Sequence, residues 1–175
     1  DFVYGVITPR ILKTISELSA KHQLLVFGDL QCSSQIGNVS KFKNFDLLCP
    51  TEREARIAIG TQDEGVEWVA NTLMSQTNSI NMVMKLGGEG FIAYGTETDG
   101  SVNRQHFPAL SINPVDVSGA GDSLLAALSV GLCSGATLMQ ASAIGAGMAS
   151  LAVENIGNTP VSCQQLREIL LNFTT

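Results

Sequence analysis

Apolar residues fall into two kinds of run along this chain. In "TPRILKTISELSAK" (8–21), Ile11, Leu12, Ile15 and Leu18 return at helical spacing, and Thr8 followed by Pro9 supplies an N-cap and a first-turn proline. This segment is predicted to be an amphipathic helix. "TEREARIAIG" (51–60) and "EGVEWVANTLMSQT" (64–77) read the same way, the first ending near Gly60. The second kind of run is short and apolar throughout: "LLVFGD" (24–29), "FDLLC" (45–49) and "INMVMKL" (80–86). These are predicted to be buried strands. "GFIAYG" and "SVNRQHF" flank a polar turn and predict a β-hairpin. "NPVDV" (113–117) is strand-like, and beyond "PVDVSG" (114–119), which overlaps it, the chain is predicted to be helical nearly to its end, with breaks near 135 and 156–161.

Fully apolar strands that alternate with helices imply an α/β fold: a parallel sheet covered on both faces, with right-handed connections. Ligands in such sheets sit beyond the carboxyl ends of the strands. Repeats, low-complexity tracts and linkers are lacking, so the 175 residues are expected to form one unit.

Charge narrows the function. A formal net charge of −6 argues against a nucleic-acid-binding or anionic-membrane-binding surface, though not against a nucleotide, which needs only a local positive site. Residues 123–153 carry no charged side chain, a length that would suit a membrane span. Ser134-Gly135 breaks the run and Gln140 interrupts it, so two buried helices of a soluble core are the expectation. Cys32, Cys49, Cys133 and Cys163 lack paired metal-ligand spacing, and His22 and His106 stand apart, which disfavours a zinc site. The cysteines are expected to be free buried thiols in the cytosol. The chain opens at Asp1 without a signal-peptide pattern, and the expectation is that natural sequence precedes it.

Candidate chemistry concentrates in "DVSGAGDSLLAAL" (116–128). Gly119, Ala120 and Gly121 carry almost no side chain where a long helix begins. The first amides of a helix lack intrahelical partners and carry partial positive charge, so a phosphate could approach this backbone closely. Asp122 would repel that phosphate, unless its task is to take a proton from a hydroxyl attacking phosphorus. A plain tight turn with an ordinary first-turn aspartate is the competing explanation. Neither a dinucleotide fingerprint nor a P-loop pattern is present.

Two further stretches accompany it in order. "LLCPTEREA" leads from a strand into a helix, and "VMKLGGEGFIAYG" leads from a strand into the hairpin. With "DVSGAGD", they resemble the PfkB, or ribokinase-like, family of carbohydrate kinases. That family shows P-N-x-x-E-A, then T-x-G-x-x-G, then D-T-T-G-A-G-D before a long helix. The resemblance covers essentially the whole chain. It implies a three-layer α/β/α fold with a mainly parallel sheet, cut short at its N-terminal half, so that residues 1–175 form the C-terminal part of one kinase domain.

The resemblance also implies roles. Asp122 would be the catalytic base, and Gly119, Ala120, Gly121 and the Asp122 amide the anion hole. Glu54 would be linked to Mg²⁺ and phosphate through water, although Thr51 and Glu54 also have capping-box spacing. Lys85, Gly87 and Gly90 would lie on the nucleotide side, where an ordinary strand-to-hairpin turn is the alternative. Asp116 and Ser118 would stand near a monovalent cation such as K⁺, with Gly157 at the same loop. ATP or ADP and a sugar or sugar phosphate would be the partners, in the cytoplasm and without nucleic acid or membrane; the resemblance also admits a homodimer. Departures are visible. Thr51 replaces the family's usual asparagine, and "DLQCSS" (29–34) keeps Asp29 of a D-x-N-x-R pattern but has Gln31 and no arginine. These leave open a non-catalytic nucleotide-binding or scaffolding relative. "DFVYGVITP" and "DVSGAGDSLLAAL" are most similar to the heptose-phosphate kinase branch, whereas "MKLGGEG" is similar to ketodeoxygluconate kinases. Without the sugar site and lid of the missing half, the chain alone is expected to have little kinase activity.

Overall fold

Thr8 opens the first helix as the spacing requires: its hydroxyl accepts from the Ile11 amide at 3.3 Å. In the computed structural model this helix, α1, runs Pro9–His22 and ends on Gln23 in the left-handed region at φ 54°. The structure describes residues 6–31, 38–97, 99–111, 113–154, 156–157 and 159–172. The expectations on residues 1–5 and 32–37, including Cys32 and the second half of "DLQCSS", lie outside them. Strands β1 (Phe27–Gly28), β2 (Leu47–Leu48), β3 (Asn81–Lys85), β4 (Phe91–Thr96) and β5 (Val102–Phe107) lie in the order β1-β2-β3-β4-β5. Helices α2 (Glu52–Ile59), α3 (Val66–Thr77), α4 (Ala120–Cys133), α5 (Leu138–Ala152) and α6 (Cys163–Asn172) complete the described elements of more than one turn.

The chain divides into two compact units, one comprising Asp1–Leu86 and Tyr94–Arg104, the other Gly87–Ala93 and Gln105–Thr175. In the first unit β1 pairs with β2 and β2 with β3, both in parallel. The end of β4 returns beside the start of β3, where the Thr96 amide donates to the Ile80 carbonyl at 3.1 Å. The residues of β2 and the centre of β3 are buried as their composition demands: Leu47, Leu48, Met82, Val83 and Met84 are fully enclosed. Helix α3 adds Val69, Ala70 and Leu73 to this core. Two side-chain to backbone bonds tie this unit locally. The Asp46 carboxylate accepts from the Val26 amide at 2.7 Å, and the buried Thr77 hydroxyl donates to the Leu73 carbonyl at 2.7 Å.

In the second unit α4 and α5 pack closely. Gly131 and Gly145 permit this, because a Cβ at Gly145 would stand 2.6 Å from Leu124 Cδ1 and one at Gly131 2.9 Å from the Ala141 Cβ. Small residues along both helices thus explain the uncharged run: among the described residues no helix is long and apolar enough to cross a membrane.

Three expectations need correction. Leu24 and Leu25 of "LLVFGD" are 54% and 47% exposed, so that run is not buried throughout. Its strand shrinks to Phe27–Gly28 because β1 is the edge of the described sheet and only those residues pair in register with β2. "NPVDV" is not a strand. Pro114 has no amide hydrogen to give, and the amides of Val115 and Asp116 both donate to the Val153 carbonyl at the end of α5. Finally, Cys49 is buried, but Cys133 and Cys163 are exposed because they fall at helix termini; all three are free.

Candidate active site

The first unit assembles its candidate residues at the carboxyl ends of the parallel strands. Thr51 forms an isolated parallel bridge with Lys85, and the Lys85 amide donates to the Pro50 carbonyl at 2.9 Å. Thr51 then caps α2. Its hydroxyl accepts from the Glu54 amide at 3.2 Å while the Glu54 carboxylate accepts from the Thr51 amide at 2.7 Å. The capping box read in the sequence is therefore formed, and it holds Glu54 nearly buried, at 6% exposure. Glu52 and Arg56 pair on the next face of the helix at 2.7 Å.

Lys85 does not reach outward from its strand. Its ammonium meets the Asp29 carboxylate at 2.6 Å, and each side chain is only 16% exposed. Asp29 follows β1 and Lys85 ends β3, so the pair spans the end of β2, beside the buried thiol of Cys49. Burial pushes that thiol well above its ordinary range, the neighbouring Asp29 charge pushes it further, and Lys85 opposes them. No feature of the sequence signals the pairing, since the partners are 56 residues apart.

In the second unit, Gly87–Glu89 forms a single 3-10 turn after β3. Gly87 and Gly90 both take positive φ, 64° and 90°. Gly90 is required twice over, because a Cβ there would fall 2.1 Å from the Phe107 carbonyl oxygen. A His106 ring nitrogen lies 2.9 Å from the Glu89 carbonyl and ties β5 to the same turn. His106 was not distinguishable as a partner from sequence, since its placement depends on the hairpin register.

The start of α4 has a different construction. Gly119 is the N-cap in the left-handed region, at φ 77°, with no side-chain cap. The Ala120 amide donates to the Val117 carbonyl at 3.3 Å, and helical bonding begins with Ser123 donating to Gly119 at 2.9 Å. The amides of Gly121 and Asp122 make no hydrogen bond among the described residues. Asp122 is exposed in the first turn of α4. Upstream, the Asp116 carboxylate accepts from the Ser118 amide at 2.9 Å and from the Gly157 amide at 3.0 Å. Those two bonds, Ser118 first, hold its pKa below the ordinary carboxylate value. Asp116, Ser118 and Gly157 are thus brought together.

Metal chemistry has a specific constraint. Among the described residues no group of three or more His, Cys, Asp or Glu side chains could hold an ion. A hard divalent ion such as Mg²⁺ is compatible with the donors present, because it is commonly held by one or two carboxylates together with waters and substrate phosphates. Glu54 supplies such an oxygen donor next to the helix start.

The chain matches the pfkB family carbohydrate kinases over residues 3–164. It is similar to the bifunctional protein HldE of Trichlorobacter lovleyi, 28% identical over 165 residues that make up 93% of this chain and 32% of the relative. The protein of the same name from Geotalea uraniireducens is 30% identical over 166 residues, again 93% of this chain and 32% of the relative. Among solved structures, phosphofructokinase-2 from Escherichia coli in complex with substrates and products superposes with a TM-score of 0.79 at 20% identity, covering 97% of this chain and 54% of that one. Arabidopsis thaliana ribokinase complexed with ribose and ATP gives 0.75 at 20% identity, covering 93% and 53%. The chain therefore spans about a third of the length of the curated relatives it matches and about half of these solved chains, and its fold is ribokinase-like. With a match that runs through the capped start of α2, the glycine turn and the "DVSGAGD" segment alike, the chain belongs to the pfkB family of carbohydrate kinases.

Proposed function

We propose that this chain is the C-terminal, nucleotide-side part of a kinase domain that transfers the γ-phosphoryl group of ATP to a hydroxyl of a sugar or sugar phosphate. The observation that carries the reading is the start of α4: amides of Gly121 and Asp122 without partners among the described residues, a glycine N-cap and an exposed carboxylate. Gly119, Ala120, Gly121 and the Asp122 amide would stabilise charge on the transferring phosphoryl. The Asp122 carboxylate would accept the acceptor hydroxyl's proton as its oxygen bonds to phosphorus; ADP leaves with the electrons of the broken bond. Glu54 would hold Mg²⁺ through water, and the bound ion would neutralise charge on the phosphates. Lys85 and the Gly87–Gly90 turn would face the nucleotide. The Asp116–Ser118–Gly157 loop would hold K⁺ near the start of α4.

Similarity to the HldE proteins, together with "DFVYGVITP", supports a heptose phosphate as the acceptor. A second reading, a nucleotide-binding relative without catalysis, is favoured by one observation: Thr51 stands in place of asparagine and engages Glu54 in a capping box. Both readings expect little turnover from the chain alone and both expect it to bind ADP. Calorimetry with ADP on the unaltered chain and on Gly121→Val tests the phosphate position. The added side chain should weaken affinity by roughly tenfold or more, the worth of one or two charge-assisted hydrogen bonds. Equal affinity in a folded variant would remove the phosphate from this helix start. Phosphoryl transfer after addition of the remaining part of the domain then separates kinase from non-catalytic relative.

A further inference from the structure

The Asp29–Lys85 pair is a costly choice for this position. Two charges that are mostly buried lose hydration, and apolar residues of similar size commonly serve stability as well or better. The surrounding strand residues, Leu47, Leu48 and Met84, show that such side chains fit this sheet. The pair is also built with care. Asp29 Oδ1 accepts from the Leu30 amide at 2.8 Å, and Oδ2 is turned to the Lys85 ammonium at 2.6 Å. Lys85 is anchored through its own backbone to Pro50 and Thr51, the residues that start α2. A flexible four-carbon side chain is thereby held at the carboxyl edge of three parallel strands, where ligands of such sheets bind. One ammonium hydrogen is committed to Asp29; an ammonium has three.

We propose that Asp29 is a positioning residue that sets nucleotide affinity through Lys85: it fixes the ammonium so that its remaining hydrogens meet a nucleotide phosphate. This rests on the nucleotide reading given above. The bland alternative is that the pair only stabilises the sheet, and a double-mutant cycle on ADP affinity, measured by calorimetry on the whole chain, distinguishes them. Lys85→Met should weaken ADP binding about tenfold, as expected when one charge-assisted bond is lost. Asp29→Asn should weaken it by a smaller factor in the natural background and leave it unchanged in the Lys85→Met background, and Asp29→Glu should restore part of the loss. An equal loss from Asp29→Asn in both backgrounds would show a structural role only and overturn the proposal. Tighter binding by Asp29→Asn would also overturn it, since Asp29 would then mask the lysine rather than present it. If the unaltered chain binds no ADP, the nucleotide reading fails and this one with it. If it binds ADP but Lys85→Met binds equally well, only the present proposal fails.

Discussion

The starts of α2 and α4 make an instructive pair. Each places a carboxylate at the third helical position, Glu54 in one and Asp122 in the other. At α2 the chain consumes its own binding capacity: Thr51 takes the Glu54 amide, Glu54 takes the Thr51 amide, and the carboxylate is buried. At α4 the cap is a glycine, the carboxylate is exposed, and two amides are left without partners among the described residues. Both ends have the same dipole and the same four orphan amides to satisfy. What differs is one side chain at the N-cap. A threonine closes a helix start, whereas a left-handed glycine supplies no side chain to take its first amides.

The largest effect should come from the open end. On the proposed reading, Asp122→Asn in the chain completed with the remaining part of the proposed kinase domain should lower turnover by about two to four orders of magnitude, the usual worth of a general base. On the same reading ADP affinity should hold, because the change would remove a negative charge beside the proposed phosphate position, and stability should hold because asparagine is also accepted near a helix start. Normal turnover in a folded variant would return Asp122 to ordinary helix chemistry and erase the contrast with Glu54.

The next pair of substitutions reverses the two constructions. Adding a side chain at the open end, Gly119→Ala, should cost about 1–2 kcal/mol, since φ is 77° there and only glycine adopts that region freely. Removing one at the closed end, Thr51→Ala, should cost about 1 kcal/mol by loss of the cap. Urea denaturation of the two variants measures both. A neutral Gly119→Ala would mean that the left-handed cap is not needed to open α4.

The smallest effect concerns the loop before α4. The Ser118 and Gly157 amides lower the Asp116 pKa, so its contribution to stability is complete above the ordinary value of 3.8 and is lost as the pH falls through the lower folded value. The stability difference between the unaltered chain and Asp116→Asn should therefore shrink on acidification below that range. A difference that stays constant with pH would show that the carboxylate charge does not hold the loop.

Local chemistry was largely legible in the amino-acid order. The periodic segments became α1, α2 and α3 within a residue or two, and the Thr51–Glu54 spacing became a capping box. The third-position carboxylate and the glycines of α4 could also be read directly. The departures arose where neighbours in space replaced neighbours in sequence. "NPVDV" has strand-like residues but bonds to the end of α5, and Leu24 and Leu25 have strand-like character but stand exposed ahead of the edge strand β1.

The sequence by itself determined where α1, α2 and α3 begin and end and that "FDLLC" and "INMVMKL" supply strands, because caps act over three or four residues and hydrophobic period is a local property. It also determined that a carboxylate stands beside glycines at a helix start. Only the tertiary structure decided that Lys85 faces Asp29 across 56 residues, that Asp116 reaches Gly157 across 41, and that Gly90 lies against the Phe107 backbone. Such contacts depend on strand order and register, and closing a long loop costs nearly the same free energy for many alternative partners. Nothing in the residues beside Lys85 singles out Asp29; the parallel placement of β1 and β3 on either side of β2 does.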